Sequence, residues 1–165
     1  AEISDAGAIA RCQAGGWREG YKDIVSPDFL AKIDVAQSEE RWKNNIADMT
    51  DDKYTLLADI DGHGAGFLSV GPPRDGQAGF ASELWAIYID PDYWGQGVGR
   101  ALFNRMVADL KSRHISNTYV WVLKDNHNGR KFYETMGGTE IKGLTKKFIL
   151  EEQPYEEVAY GWASL

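Results

Sequence analysis

Between positions 84 and 123 the chain reads as strand, glycine turn, helix, strand, and this order limits the fold more than any other stretch. LWAIYI ends a strand predicted over 80–89. The turn DPDYWGQG follows. Val98, Leu102, Phe103, Met106, Val107 and Leu110 then recur at helical spacing in a helix predicted over 98–113. TYVWVL, 118–123, is a continuous apolar run of the kind that is covered on both faces. A helix joining two strands of one sheet is a crossover, so these two strands must lie parallel.

Around this unit the signals are antiparallel. Residues 54–60 are rich in strand formers, Asp61-Gly62-His63-Gly64 is a turn, and 66–70 returns as the second arm of a hairpin. Pro72-Pro73-Arg74-Asp75-Gly76 is a surface loop, and two late strands are predicted over 140–150 and 156–163. The first third is helical. Ser4 or Asp5 caps a helix carrying Ile9, Cys12 and Trp17, with Gly15-Gly16 as its candidate break. Ser26-Pro27 is a cap followed by proline at the first helical position, and Ser38-Glu39-Glu40-Arg41 starts a helix through Trp42 and Ile46. A short helix over 126–136 stops at Gly137-Gly138. The expectation is an α+β fold: one domain over 1–165, with a mixed, mostly antiparallel central sheet containing one parallel strand pair and flanked by helices.

The charge balance narrows the partners. Eighteen Lys and Arg against 25 Asp and Glu leave a net charge of −7. Such a surface repels nucleic acid and anionic membranes and attracts cations, amines among them. No apolar run approaches the ~20 residues that cross a bilayer. Cys12 is the single cysteine, so no internal disulfide forms, and its apolar-periodic setting predicts a packing thiol. The opening AEISDAGAIARC lacks the basic start and apolar centre of a secretory signal, so a cytoplasmic protein is expected. His63, His114 and His127 have no ligand company, and no metal is expected.

The glycines at 95, 97 and 99 carry the chemistry. A strand running through a glycine turn into a helix sets unpaired amide N–H groups at the positive end of the helix dipole, where phosphate binds. No Lys-Ser or Lys-Thr pair follows, which excludes the nucleoside-triphosphate loop, and the unit does not fit the dinucleotide fingerprint either. The turn alone also fits a loop that merely needs flexible backbone. A second segment, DNHNGRKFYETMGGTE at 125–140, sets Asn126 as a cap after the buried strand and Tyr133 one and a half turns on. Parallel strands bring both helix N-termini to one edge of the sheet.

Together the two segments resemble the GNAT N-acetyltransferase superfamily, whose phosphate signature is Gln/Arg-x-x-Gly-x-Gly/Ala. Here the frame is Trp94-Gly95-Gln96-Gly97-Val98-Gly99, with Trp94 at the usual Gln/Arg position. Leu84 to Pro91 is similar to the family's pantetheine-pairing strand, and Asn126-x-x-Gly129-x-x-Phe132-Tyr133 to its second cofactor motif. The order agrees over 53–138, and 157–162 resembles the last strand. The resemblance implies acetyl-coenzyme A as co-substrate and direct attack by a small-molecule primary amine. A non-catalytic acyl-coenzyme-A sensor and a protein lysine or N-terminal acetyltransferase are the alternatives. It also implies pyrophosphate on the amides of Gln96, Gly97, Val98, Gly99 and Arg100, and pantetheine along Ile87, Tyr88 and Ile89. Asn126 lies near the cofactor, and Tyr133 serves as the acid that protonates the sulfur. Arg100 reads equally as a phosphate contact and as a solvated helix residue. Glu83 is the candidate base, on the expectation that Glu83, Trp85 and Ile87 alternate onto one strand face; the other reading is an exposed carboxylate with a water chain as base. Trp17, Tyr21 and Trp85, with Trp42, Tyr155 and Tyr160 nearby, are the candidate aromatic walls for a cationic amine. Relatives are often dimers, and a final strand left exposed would offer an edge for a second copy.

Overall fold

The computed structural model describes residues 1–76 and 79–165. Helices α1 (Ala6–Gly20), α2 (Pro27–Ala31) and α3 (Val35–Ala47) precede the hairpin β1 (Tyr54–Ile60) and β2 (His63–Gly71). Then come β3 (Glu83–Ile89), α4 (Val98–Ser112), β4 (Thr118–Leu123), α5 (His127–Thr135), β5 (Thr139–Leu150) and β6 (Gln153–Trp162). The six strands form one sheet in the order β1-β2-β3-β4-β6-β5. Among the described residues only β3 and β4 are parallel; every other neighbouring pair is antiparallel. Among the described residues no helix is long and apolar enough to cross a membrane.

Helices cover both faces of the sheet. On one face Leu102, Phe103, Met106 and Leu110 of α4 and Tyr133 of α5 pack on Leu68, Leu84, Val120, Val122 and Val158. On the other, Ile9 and Cys12 of α1 and Trp42 and Ile46 of α3 pack on Phe67. Fully burying one such side chain stabilises by about 1.5–3 kcal/mol. Burial pushes the Cys12 thiol up to about 11, and its Sγ lies 3.3 Å from the Gly64 carbonyl, so this cysteine is a packing group.

Three expectations change. Helix α1 runs unbroken through Gly15-Gly16, because these glycines serve close approach: a Cβ on Gly16 would meet Tyr88 Cδ1 at 2.7 Å, and one on Gly15 would meet Pro91 Cδ at 3.0 Å. Helix α3 begins earlier, capped by the Asp34 carboxylate 3.1 Å from the Gln37 amide; Ser38 is buried instead, bonded to Gln13. The final strand is not an edge. β6 lies between β4 and β5, so β5 and β1 are the edges a second copy would meet.

The β5–β6 hairpin turns on Glu151 (φ 46°) and Glu152 (φ 68°), both left-handed, a geometry that favours Asn-Gly. Each such non-glycine residue costs about 1–2 kcal/mol. Glu152→Gly keeps the Glu151–Lys32 ion pair and is expected to stabilise the fold by about 1 kcal/mol, raising the thermal midpoint by about 2–4 °C in calorimetry.

Candidate active site

The site begins with a bulge. Ser69 opposes Ala86 and Val70 opposes Leu84, so Trp85 has no partner on β2. Its ring lies over Gly71, where a Cβ would stand 3.0 Å or less from three indole atoms, and its Nε1 donates to the Pro72 carbonyl at 3.1 Å. The extra residue inverts the side-chain alternation. Leu84 and Ile87 both pack on the α4 face, and Ala86 and Tyr88 pack on the α1 face. β3 then leaves β4: their pairing consists of Glu83 with Tyr119 and Leu84 with Val120. Beyond Leu84 the two parallel strands part, and the β4-facing edge of β3 over Ile87, Tyr88 and Ile89 has no strand on it.

A cleft of about 530 Å³ opens at that gap. Ile87, Tyr88 and Ile89 line it on one side, and Asn126, Phe132 and Tyr133 on the other. Its end is the turn before α4. Gly95 (φ 75°) and Gly97 (φ 85°) are left-handed, and a Cβ on either would meet nothing within 4 Å, so bare backbone faces the cleft. Gly99 has a different reason, since a Cβ there would press on Phe132 at 3.2 Å. The first bond inside α4 runs from the Ala101 amide to the Gly97 carbonyl at 3.0 Å. The amides of Val98, Gly99 and Arg100 therefore have no carbonyl of their own helix, and they open at its positive end. These observations fit a diphosphate.

The model of the acetyltransferase (GNAT) family matches residues 18–137. The chain belongs to the GNAT family. It is an acetyltransferase, and its co-substrate is acetyl-coenzyme A. It is 30% identical to an uncharacterised N-acetyltransferase of Bacillus subtilis (strain 168), YuaI, over 100% of this chain and 91% of that protein. It is 35% identical, over 34% of this chain and 38% of the relative, to the ribosomal protein bS18-alanine N-acetyltransferase of Escherichia coli (strain K12). Its fold is similar to that of PaiA N-acetyltransferase from Thermoplasma acidophilum, crystallised with coenzyme A, with a TM-score of 0.72, 20% identity, and coverage of 98% of this chain and 96% of that one.

Most of the residues singled out in this GNAT chain line the cleft: Ile87, Tyr88, Ile89, Gly97, Val98, Gly99, Arg100, Asn126, Tyr133 and Tyr21. Asn126 does two jobs, since its Oδ1 also accepts the Gly129 amide at 2.9 Å to cap α5. Gln96 does not line the cleft; its amide donates to Tyr93 O at 3.4 Å and its Nε2 to Asp92 O at 2.9 Å. Trp17 stands behind Tyr21, stacked at 4.3 Å between centroids. Trp42 belongs to the α1–α3 core and Tyr160 to the α4 core. Trp94 is a contact that no sequence signal marks. Its ring lines the cleft, 47% exposed, and its Nε1 donates to the Ile89 carbonyl at 2.9 Å. Gly16 and Gly20 of α1 also line it, a role that the GG pair and the helical period alone could have suggested.

Three phenols converge here. Burial raises Tyr133 far above the ordinary phenol range, with Tyr21 adding to the effect. Burial likewise raises Tyr88, and the Tyr21 and Tyr133 phenols add to it. Tyr21 is raised by burial and eased by the Asn126 and Tyr88 side chains.

Glu83 is elsewhere. The bulge places it on the opposite face from Ile87, fully buried, and its oxygens are taken: the Arg74 amide donates to Oε2 at 2.8 Å, the Arg74 guanidinium to Oε1, and the Tyr119 hydroxyl to Oε2 at 3.0 Å. Trp85 belongs to this cluster too, under the Arg74 guanidinium at 5.6 Å from its ring centroid. Neither residue lines the cleft. Glu83 holds the β2–β3 loop and anchors the parallel pair. Glu83→Gln is accordingly expected to cost about 2 kcal/mol in urea unfolding, the scale of hydrogen bonds to a charged group. The pH profile of acetyl transfer should keep its shape.

Proposed function

We propose that this enzyme moves the acetyl group of acetyl-coenzyme A to the primary amine of a small molecule by direct attack, within a single acetyltransferase domain. The observation that carries the cofactor half is the open row of amides at Val98, Gly99 and Arg100, set at the mouth of the gap between β3 and β4. In this reading those amides and the exposed Arg100 hold the pyrophosphate. The free edge of β3 at Ile87 to Ile89 lies along the pantetheine arm, and Asn126 flanks it. The Trp94 indole, by taking the Ile89 carbonyl, fixes where that edge ends.

Tyr133 is the proton donor to the departing sulfur. Burial holds the Tyr133 phenol in its protonated form, so at neutral pH it stands ready as a hydrogen-bond and proton donor to the sulfur as negative charge develops there.

The acceptor side favours a small amine over a protein terminus. There Leu30, Phe29 and Ile33 of the α2 region pack against Phe148, Leu150 and Tyr155 of the hairpin, with Trp17 and Tyr21 beneath. Lys32 and Glu151 clasp the same two elements at 2.8 Å. Such a filled, aromatic enclosure suits a compact cation. The partial likeness to the bS18-alanine enzyme supports the second reading, a protein α-amine.

Two measurements test the proposal. Coenzyme A should raise the thermal midpoint, and NAD and ATP should not. Tyr133→Phe, which keeps the ring packing, should keep that stabilisation and lower kcat by ~10²-fold with any amine accepted. An unchanged kcat would remove Tyr133 from the reaction.

A further inference from the structure

We infer that Glu157, on β6, is the carboxylate that receives the acceptor's ammonium and takes its proton. This rests on acetyl transfer at the cleft, and it assigns to Glu157 the role of base that Glu83, bonded on both oxygens, does not fill. β6 pairs Glu157 with Leu123, the last residue of β4 before the parted end, and Lys146 of β5 stands opposite on the other side. Antiparallel partners share a face, so Glu157 points with Leu123, Phe148 and Tyr155 to the α1–α2 side. Val158 turns to the α4 side. The carboxylate thus sits on the acceptor side of the sheet, beside the gap.

Its surroundings leave it free to act. The side chain is 15% exposed, and its ion pair among the described residues is a long one, Lys146 Nζ at 3.6 Å. Lys146 is held more tightly by Asp75 at 2.6 Å, and it also lies over the Trp121 ring at 4.4 Å. Glu83, by contrast, is bonded on both oxygens. The groups facing Glu157 are Lys146 from β5, Arg74 and Asp75 from the β2–β3 loop, and Tyr21, the residue that caps the end of α1. Burial raises its pKa, Lys146 and Arg74 lower it, and Asp75 raises it; the balance is upward. A base raised toward neutral pH is better matched to an ammonium than an ordinary carboxylate is. Glu157 stands behind the cleft lining, and Tyr21, which lines the cleft, is the neighbour that this carboxylate and the reacting centre share.

The step balances. The ammonium passes one proton to Glu157, giving a neutral carboxylic acid and a free amine. The amine lone pair forms the C–N bond, and the C–S bond breaks. Tyr133 gives its proton to the sulfur and regains one from the nitrogen, leaving the amide with a single N–H. Glu157 then releases its proton to solvent.

The test uses the whole enzyme. Thiol release from acetyl-coenzyme A is followed across pH with n-butylamine, cadaverine, spermidine and an alanyl peptide. Glu157→Gln should lower kcat/KM for the accepted amine by ~10²-fold and abolish the acidic limb of its profile, where the wild-type rate falls as Glu157 protonates. The stabilisation by coenzyme A should stay at its wild-type size, and Glu157→Asp should restore part of the rate. Glu157→Gln with wild-type kinetics and an unchanged acidic limb overturns the proposal. If no amine in the panel is accepted, the decision falls to the ¹³C carboxyl resonance that glutamate-labelled protein loses in Glu157→Gln. With coenzyme A present, n-butylammonium should shift it and lower its titration midpoint, and an unmoved resonance overturns the proposal. Failure of coenzyme A to stabilise the wild-type protein would instead sink the cofactor reading itself.

Discussion

One extra residue in one strand organises the site. The backbone of β3 would pair with β4 along its length if the strands stayed in register. The bulge at Trp85 bends β3 away after two paired positions, and the sheet opens between its two parallel strands. Opening a sheet in its middle leaves main-chain donors and acceptors without partners, which is costly in a buried setting. The cost is limited by devices that fix the gap at its two ends. At the closed end Glu83 ties Arg74 and Tyr119 together, so the loop, β3 and β4 are pinned by one buried carboxylate. At the open end the Trp94 indole takes the Ile89 carbonyl, and the Asp90 amide returns to Ala65. Between those anchors an edge of β3 remains for a ligand that can imitate a strand.

The glycine turn extends the same logic past the strand. Three glycines at alternate positions have two separate causes. Gly95 and Gly97 permit a left-handed path that lifts the turn clear of side chains, and Gly99 lets α4 and α5 approach through Phe132. The result is two helix N-termini close together, α4 with free amides and α5 capped by Asn126. The electrostatic attraction for an anion thus falls at the mouth of the gap, beside a strand edge suited to an amide-bearing arm.

Local rules explain what could be read from the letters. The order of the elements, the parallel pair, the glycine turn and the Asn126–Tyr133 spacing are each written within about one helix length of sequence. Tyr133 and Ile87 fell into the cleft because a crossover forces both helix N-termini to one sheet edge. The bulge was not legible: ELWAIYI alternates plausibly as a plain strand, and only the register with Ser69 and Val70 shows that Trp85 is extra. The role of Glu83 was lost with it, since a one-residue slip moves a side chain to the other face. Its partner Arg74 sits in a proline-rich loop whose path no periodicity describes. Gly15-Gly16 misled for a related reason. Two glycines in a helix weaken it, but tertiary contact with Tyr88 and Pro91 decides the outcome. The place of β6 inside the sheet also depends on a long-range choice, because the last strand could have added at the edge.

The opened sheet has a chemical consequence. A continuous sheet separates its two faces completely, so groups on opposite sides never meet. Where β3 and β4 part, α4 and α5 supply one wall and the end of α1 with Tyr21 supplies the other, the hairpin packing behind Tyr21. Tyr133 comes from α5, on the face that packs against α4, whereas Tyr21 and Glu157 belong to the opposite face. In the proposed reaction the acid and the base therefore stand on opposite sides of the thioester. That separation matters because two such groups in contact would exchange a proton with each other instead of with the substrates. It also lets each be tuned alone: burial raises both, but Tyr133 is raised among phenols and apolar rings, while Glu157 is held back by Lys146 and Arg74. Burial thus acts in the same direction on the two groups, favouring the protonated form of each: it keeps the phenol in its donor form and makes the carboxylate a better proton acceptor.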